Sequence, residues 1–293
     1  MRGRRKREAI FRKINSNSFG FVLLFVFLAL FLIYSFANSL FFKKSDRVNI
    51  FLHSQDRVTY YSLSTVDEVN YLVYFSPDLK MTVPGGYKLY RFGAFAKLSD
   101  LDHDPDLLKK AFSSVTSSFI DFYFYPTNPD IQYGDSVPDT VRYPSFKELF
   151  FDRSNASFLD RLYLYLRFIS SGKTQFAIIP SPQQEEDFAK NYQGFFYRKT
   201  YRNEKRLVQI IYTKRYKTAD LISRILEGNG IRVVDLTRDS VPHSACVIVE
   251  NTGNHSQTAR DLSSFFNCKL QVGKTGTFDI IFILGDQEAR WEA

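Results

Sequence analysis

The chain has 293 residues, a length that suits about two domains, and 44% of them are hydrophobic. Of 39 Lys/Arg and 31 Asp/Glu, ten and two fall within residues 1–47, which leaves 29 of each in the remainder. The basic excess is confined to the N-terminus, so residues 48–293 carry no general attraction for nucleic acid, and that partner class is excluded.

The opening "MRGRRKREAIFRK" carries seven Lys/Arg and one Glu. Phe19 to Ala37 then runs 19 residues without a charge, and Lys43, Lys44 and Arg47 follow. A helix of about 20 apolar residues spans the hydrocarbon of a bilayer. Seven cations before the run outweigh three after it, which predicts a cytoplasmic N-terminus. The run exceeds the apolar core of an ordinary signal peptide, and "SFANSLFF" is a poor cleavage site. An uncleaved single span over 19–42 is therefore expected, with a basic tail (1–18) inside and residues 48–293 outside the cell membrane. The span also accounts for "RGRRKR", which in isolation reads as a nuclear-localisation run.

From 48 to 125 the chain reads mostly as strands. "VNIFLH", "VTYYSLS", "VNYLVYF" and "KMTVP" are β-branched and aromatic runs separated by turn residues. "DPDLLKKAFSSVTS" is a helix, with Asp104 suited to the N-cap and Pro105 to the first helical position. "SSFIDFYFYP" returns as a strand. The acidic "SDLDHDPD" lacks the glycine and terminal Glu of an EF-hand loop, and acidic residues at a helix start are ordinary dipole partners.

Pro126, Pro129, Pro138 and Pro144 mark 126–145 as a long surface loop. "ASFLDRLYLYLRFISSG" is an amphipathic helix ending at Gly172, and "TQFAIIP" reads as a buried strand. Residues 181–206 turn polar and charged and are read as a linker. It separates an α/β domain at 48–180 from a second at 207–287.

That second part alternates regularly. "LVQIIYT", "IRVVDLT", "ACVIVE", "KLQV" and "FDIIFILG" are strands, while "KTADLISRILEGNG" and "SQTARDLSSFF" are helices. The pattern is an α/β sandwich. The stretch "VIVENTGNHSQTARDL" joins a strand through a glycine turn to a helix start, an arrangement that can hold phosphate. It has a twin, however. Thr218-Ala219 and Thr258-Ala259 stand 40 residues apart, each after a strand and a turn, and the twin's turn "KRYK" has no glycine. The repeat favours a packing role, in which the small Ala lets each helix approach the sheet.

Cys246 and Cys268 lie on the outer side, where a disulfide can persist. They read either as buried free thiols or as a bonded pair. If the strands they open are parallel neighbours, the two stand at similar heights, within disulfide reach. His53, His103, His243 and His255 sit at no ligand spacing from the cysteines or from one another, so no metal or other cofactor is expected.

The layout resembles the LytR–CpsA–Psr envelope family. "IIYT…TADLISRILEGNGIRVVDL…FDIIFILGD", ending at Gly285-Asp286, is similar to its small LytR C-terminal domain. "VNIFLHSQD", with Asp56, "VNYLVYFSP", "VPGGY" and "IDFYFYP" resemble parts of its catalytic domain. The resemblance implies an extracytoplasmic location and, in active members, transfer of glycopolymers from a polyprenyl-pyrophosphate carrier, with arginines on the pyrophosphate and aspartates on Mg²⁺. Here Gly85-Gly86 replace the Arg-Asp of one turn, and Val66-Asp67-Glu68 replace the Arg-Ser-Asp before the second strand. Glycine supplies neither a charged fork nor a metal ligand. Arg153, Arg161 and Arg167 lie in the later helical region, unaligned to the family's later arginines.

"SSGK" at 170–173 and "KTG" at 274–276 match two elements of penicillin-binding enzymes, but Ser170 closes a helix where the nucleophile should open one. The sequons at Asn155 and Asn254 are expected by chance. The sequence thus points to a single-pass envelope protein with two α/β sandwich domains and no assigned catalytic, cofactor or metal residues. Its expected partners are the membrane and a cell-wall or surface polymer. The alternatives are a glycopolymer phosphotransferase and a membrane-tethered regulator, whose 13-residue basic tail is too short to fold as a DNA-binding domain.

Overall fold

The architecture comes from a computed structural model, which describes residues 16–43, 45–66, 69–134, 140–170, 176–182 and 184–292. Most of the basic tail, Asp67-Glu68 and residues 171–173 of the "SSGK" stretch lie outside the described residues.

Helix α1 (Ser16–Ala37) is 22 residues long. Gly20–Ala37 has a mean hydropathy of 2.6, and none of it is buried against the rest of the chain. It is long and apolar enough to cross a membrane. Immediately beyond it the chain doubles back. Phe41 stacks on Phe36 at 5.6 Å, and the Leu40 N–H donates to Asp160 Oδ1 at 2.8 Å.

Three strands then form an antiparallel meander: β1 (Arg47–His53), β2 (Val58–Ser64) and β3 (Asn70–Phe75). β4 (Lys80–Val83) and β5 (Lys88–Arg91) make a separate hairpin. Its turn needs φ of +95° and +84° at Gly85 and Gly86, values only glycine adopts cheaply. A 3₁₀ turn leads to α2 (Phe95–Leu101) and α3 (Asp106–Thr116). Helix α3 starts one residue later than expected: Pro105 takes the N-cap position without a side-chain cap, and the Asp104 carboxylate just ahead of it accepts the Asp106 N–H at 3.1 Å. β6 (Phe122–Tyr125) pairs parallel with β1. After it come α4 (Phe146–Phe151), β7 (Arg153–Ser154), α5 (Phe158–Ser170) and β8 (Phe176–Ile179). The sheet order is β7-β6-β1-β2-β3-β8.

Every residue of β1 and β2 is buried, because both faces of this sheet are covered. Phe51, Tyr60, Val73 and Phe75 pack under the β4–β5 hairpin and α3, against Leu108 and Phe112. Ile50, Leu52, Tyr61 and Leu72 face the other way, onto Leu149 of α4 and Leu164 and Phe168 of α5.

Two expectations are corrected. "TQFAIIP" is not a buried strand. β8 is an edge strand beside β3, with Ala177 and Ile178 exposed, since among the described residues no strand pairs beyond it. The strand in "SSFIDFYFYP" is shorter than its apolar run, because Ser117 turns the chain at φ +47° and β6 starts only at Phe122. Sequence reading also misses β5, α2, α4 and α10. The polar 181–206 stretch carries α6 (Glu185–Tyr192) and α7 (Lys199–Glu204), and its Phe188 and Phe196 belong to the first core.

The second sheet contains β9 (Leu207–Tyr212), β10 (Arg232–Arg238), β11 (Val247–Glu250), β12 (Lys269–Val272) and β13 (Ile280–Ile283), in the order β10-β9-β13-β11-β12. All neighbours are parallel except β11 and β13. Alternate residues of β9 are buried, as expected of a sheet packed on one face. That face meets α8 (Tyr216–Gly228) and α9 (Gln257–Phe266), and α10 (Gln287–Arg290) follows β13. Ala219 and Ala259 are fully buried at the helix–sheet contact, which bears out their packing role. β11 and β12 are parallel neighbours, and Cys246 and Cys268 just ahead of them form a disulfide with Cα atoms 4.9 Å apart.

Candidate functional site

A cleft of about 660 Å³ lies where the segment after α1 meets both sheets. Leu40, Phe42, Lys43 and Asp46 line it from the segment after α1. Asp121 enters from just before β6, Arg198 and Tyr201 from the α7 region, and Gln257, Asp261 and Phe265 from α9. At its floor the buried Arg198 guanidinium donates to Asp121 Oδ1 at 2.5 Å and to the Tyr201 hydroxyl at 3.2 Å. Tyr201 in turn donates to Asp261 Oδ2 at 2.7 Å. Burial opposes the charge of Arg198, but Asp121 beside it holds the guanidinium well above its ordinary pKa. Burial likewise pushes the Tyr201 phenol up. Arg198 Nε is buried without a hydrogen-bond partner. Among the described lining residues, three cations (Lys43, Lys109, Arg198) face three carboxylates (Asp46, Asp121, Asp261). The cleft is therefore close to electroneutral, with aromatic rings set between hydrogen-bonding groups.

Sequence reasoning missed this site. Arg198 and Tyr201 lie in the stretch read as a linker. The available signal was Asp121, a carboxylate interrupting the apolar "SSFIDFYFYP" run, where an unpaired charge would be costly.

A second charged cluster lies at the carboxyl end of β1. Arg57 donates to Glu148 Oε1 at 3.0 Å, and Arg142 pairs with Asp56 at 3.0 Å. Arg57 is buried, whereas Asp56 is 54% and Arg142 51% exposed. The other residues weighed from sequence do not join it. Gly85 and Gly86 donate their N–H groups to the Glu292 carbonyl at 2.9 and 3.4 Å, so that turn docks the C-terminal segment. Val66 is exposed. Arg161 donates to the Leu149 and Asp152 carbonyls at 2.8 and 3.0 Å, Arg167 to the Ser64 carbonyl at 2.7 Å, and Arg153 to Asp100. Among the described residues no three His, Cys, Asp or Glu side chains are grouped to hold a metal.

The two twin helix starts are already filled by protein carboxylates. Glu204 accepts the Gln257 and Thr258 N–H groups at 2.8 Å each and the Thr258 hydroxyl at 2.6 Å. Glu288 accepts from the N–H groups of Thr213, Lys214 and Arg215, the last two at 3.0 and 3.2 Å. Each glutamate takes the place a phosphate would occupy, so both helix starts serve packing.

No family model matches the chain. No curated protein matches it either. Among solved structures, TagT bound to LIIa-WTA overlaps at 11% identity and a TM-score of 0.31, over 46% of this chain and 78% of that one. A transcriptional factor fragment from Listeria monocytogenes overlaps at 9% identity and 0.32, over 47% and 83%. A transcriptional regulator from Enterococcus faecalis overlaps at 7% and 0.23, over 76% and 89%. Overlaps at these TM-scores carry no argument about chemistry.

Proposed function

We propose that this chain is a single-pass cell-envelope protein with a cytoplasmic N-terminus, whose outer region binds a hydroxyl-rich surface polymer in the cleft around Arg198 without transferring it. Its two units, 48–180 and 207–287, are read as a degenerate LytR–CpsA–Psr-like domain and a LytR C-terminal-like domain. The membrane assignment draws on the length and apolarity of α1 and on the charge asymmetry around it. The observation that carries the binding reading is the composition of the cleft. Balanced charges leave no net field for a pyrophosphate, while carboxylates, amides and rings together suit a neutral polyol. The location fits, since Phe42 and Lys43 place the cleft beside the end of α1.

The test is sedimentation of the full chain in detergent with isolated cell-wall sacculi. Ser264→Trp, at the exposed cleft wall, should weaken binding at least tenfold and leave the far-UV spectrum unchanged. Equal binding by the variant, or no binding by the parent above an albumin control, removes the reading.

A further inference from the structure

The outer face of α5 is apolar although nothing among the described residues covers it. Phe158, Leu162, Leu166 and Ile169 recur at helical spacing along it. Phe158 is 68% and Ile169 64% exposed, and Phe151 at the end of α4 is 70% exposed. Rings join the two helices. Phe150 lies 5.9 Å from both Phe158 and Tyr165 and 4.4 Å from Phe146. A connected aromatic surface of this kind marks an interaction face, and scattered apolar residues do not.

Its position identifies the partner. Phe36 lies in the last turns of α1. Phe41 stacks on it at 5.6 Å and meets Tyr163 of α5 edge-on at 5.3 Å. The Leu40 N–H bonds Asp160, also in α5, at 2.8 Å. One ring thus separates α5 from the membrane-length helix, and a backbone hydrogen bond fixes the start of α5 three residues past the end of α1. A face held that close to a span and lined with Phe, Tyr, Leu and Ile matches the composition of interfacial helices.

We infer that the α4–α5 face rests in the interfacial layer of the same bilayer that α1 crosses, so that the outer region lies on the membrane instead of standing off from it. The inference rests on the membrane reading of α1. It adds a fixed orientation: α5 faces the lipid, and the β4–β5 hairpin, across the sheet, faces away.

The experiment uses the full chain in vesicles of phosphatidylcholine and phosphatidylglycerol (3:1) containing brominated phosphatidylcholine. Trp291, the chain's single tryptophan, is buried in the second core and supplies a constant background. Tryptophan is placed singly by Phe151→Trp, Phe158→Trp, Ile169→Trp, Tyr34→Trp in α1, and Leu89→Trp on the hairpin. Lipid quenching at 151, 158 and 169 should be at least threefold that at 89, with reduced acrylamide access. If 34 is quenched while 151, 158 and 169 behave like 89, the inference falls and the anchor stands. If 34 is not quenched, the membrane reading fails and the inference with it. Protection from acrylamide without lipid quenching means that protein covers the face, which also overturns the inference.

Discussion

Gly228, in the last turn of α8, lies flat against the Ser117 carbonyl and leaves no space for a Cβ. One residue on, Asn229 Oδ1 accepts the Phe119 N–H at 3.0 Å, and its carbonyl accepts the Arg198 N–H at 2.9 Å. The second sheet's longest helix therefore docks end-on against the α3–β6 turn, directly beneath the cleft. Gly228→Ala would gain up to about 1 kcal/mol of helix propensity. It would also press a methyl into a backbone oxygen that cannot rotate aside, an overpacking cost of about 1–3 kcal/mol. A net loss of stability is expected on denaturant titration. Gly253→Ala, with no atom near its Cβ position, should stay within about 0.5 kcal/mol of the parent.

The disulfide closes a loop between residues 22 apart in sequence, which in the chain-entropy account contributes about 3 kcal/mol. The unreduced, unfolded protein should show no titratable thiol, because both cysteines are bonded. Cys246→Ala/Cys268→Ala should lower the unfolding free energy by about that amount. A double variant as stable as the parent would contradict the bond's role.

His53 is fully buried, and burial lowers its pKa from 6.5 to about 4. Its neutral form satisfies both ring nitrogens, Nε2–H toward the Gly93 carbonyl at 3.3 Å and Nδ1 toward the Gln132 amide at 3.3 Å. The unfolded chain takes up this proton below about pH 6.5, but the folded chain takes it up only near 4. Between those values the unfolded state binds more protons, so stability falls as pH falls, by up to about 3 kcal/mol. Unfolding free energies from pH 7 to 4.5 should decline more steeply for the parent than for His53→Gln. Parallel curves would remove His53 as the cause.

Glu204 shows the opposite balance. Burial alone would raise its pKa, but the Thr258 hydroxyl and the Thr258 and Gln257 N–H groups outweigh burial and hold it below the ordinary value. A carboxylate with a depressed folded pKa stabilises above its unfolded pKa, and the contribution disappears as pH falls through the folded one. Glu204→Gln keeps the shape and removes the charge at the start of α9, at an expected cost of about 1 kcal/mol at pH 7 in low salt. Thermal melts of parent and variant should draw together as the pH is lowered through the folded pKa of Glu204.

The elements of the fold differ in how far sequence reveals them. The meander was legible because β1, β2 and β3 are dense β-branched and aromatic runs with turns between them. The Thr-Ala repeat marked both helix–sheet contacts of the second part, and the apolar run of α1 was unmistakable. Pairings between distant segments were not legible. No local signal ties Glu204 to Thr258 or Glu288 to Thr213, since a surface glutamate and a capping one look alike until the fold places them. The six residues of α4 carry too little periodicity to mark a helix, although Ser145 and Glu148 form a capping box. Within the site, Asp121 alone was anomalous in its context, while Arg198 stood among other charges in a stretch read as connection.

The last prediction concerns the rival activity. A glycopolymer transferase must neutralise a pyrophosphate, so its arginines must be available to the ligand and outnumber the local carboxylates. The charged cluster that includes Asp56 has no surplus of arginine, and only the half-exposed Arg142 is open to a ligand. Arg57 is buried against Glu148, and Arg142 pairs with Asp56, so two guanidiniums meet two carboxylates. Removing one well-placed donor from such a site ordinarily costs about 10²–10³-fold in rate, and here Gly85 and Gly86 are committed to the Glu292 carbonyl. Arg153, Arg161 and Arg167 are spent on Asp100 and on backbone carbonyls instead of converging on a cleft. The purified chain is therefore expected to release no phosphate from polyprenyl pyrophosphate with Mg²⁺ above a no-protein control. Turnover that Arg142→Ala abolishes would promote the transferase reading over the binding one, and turnover unaffected by Arg142→Ala and Arg57→Ala would place an active centre elsewhere in the chain.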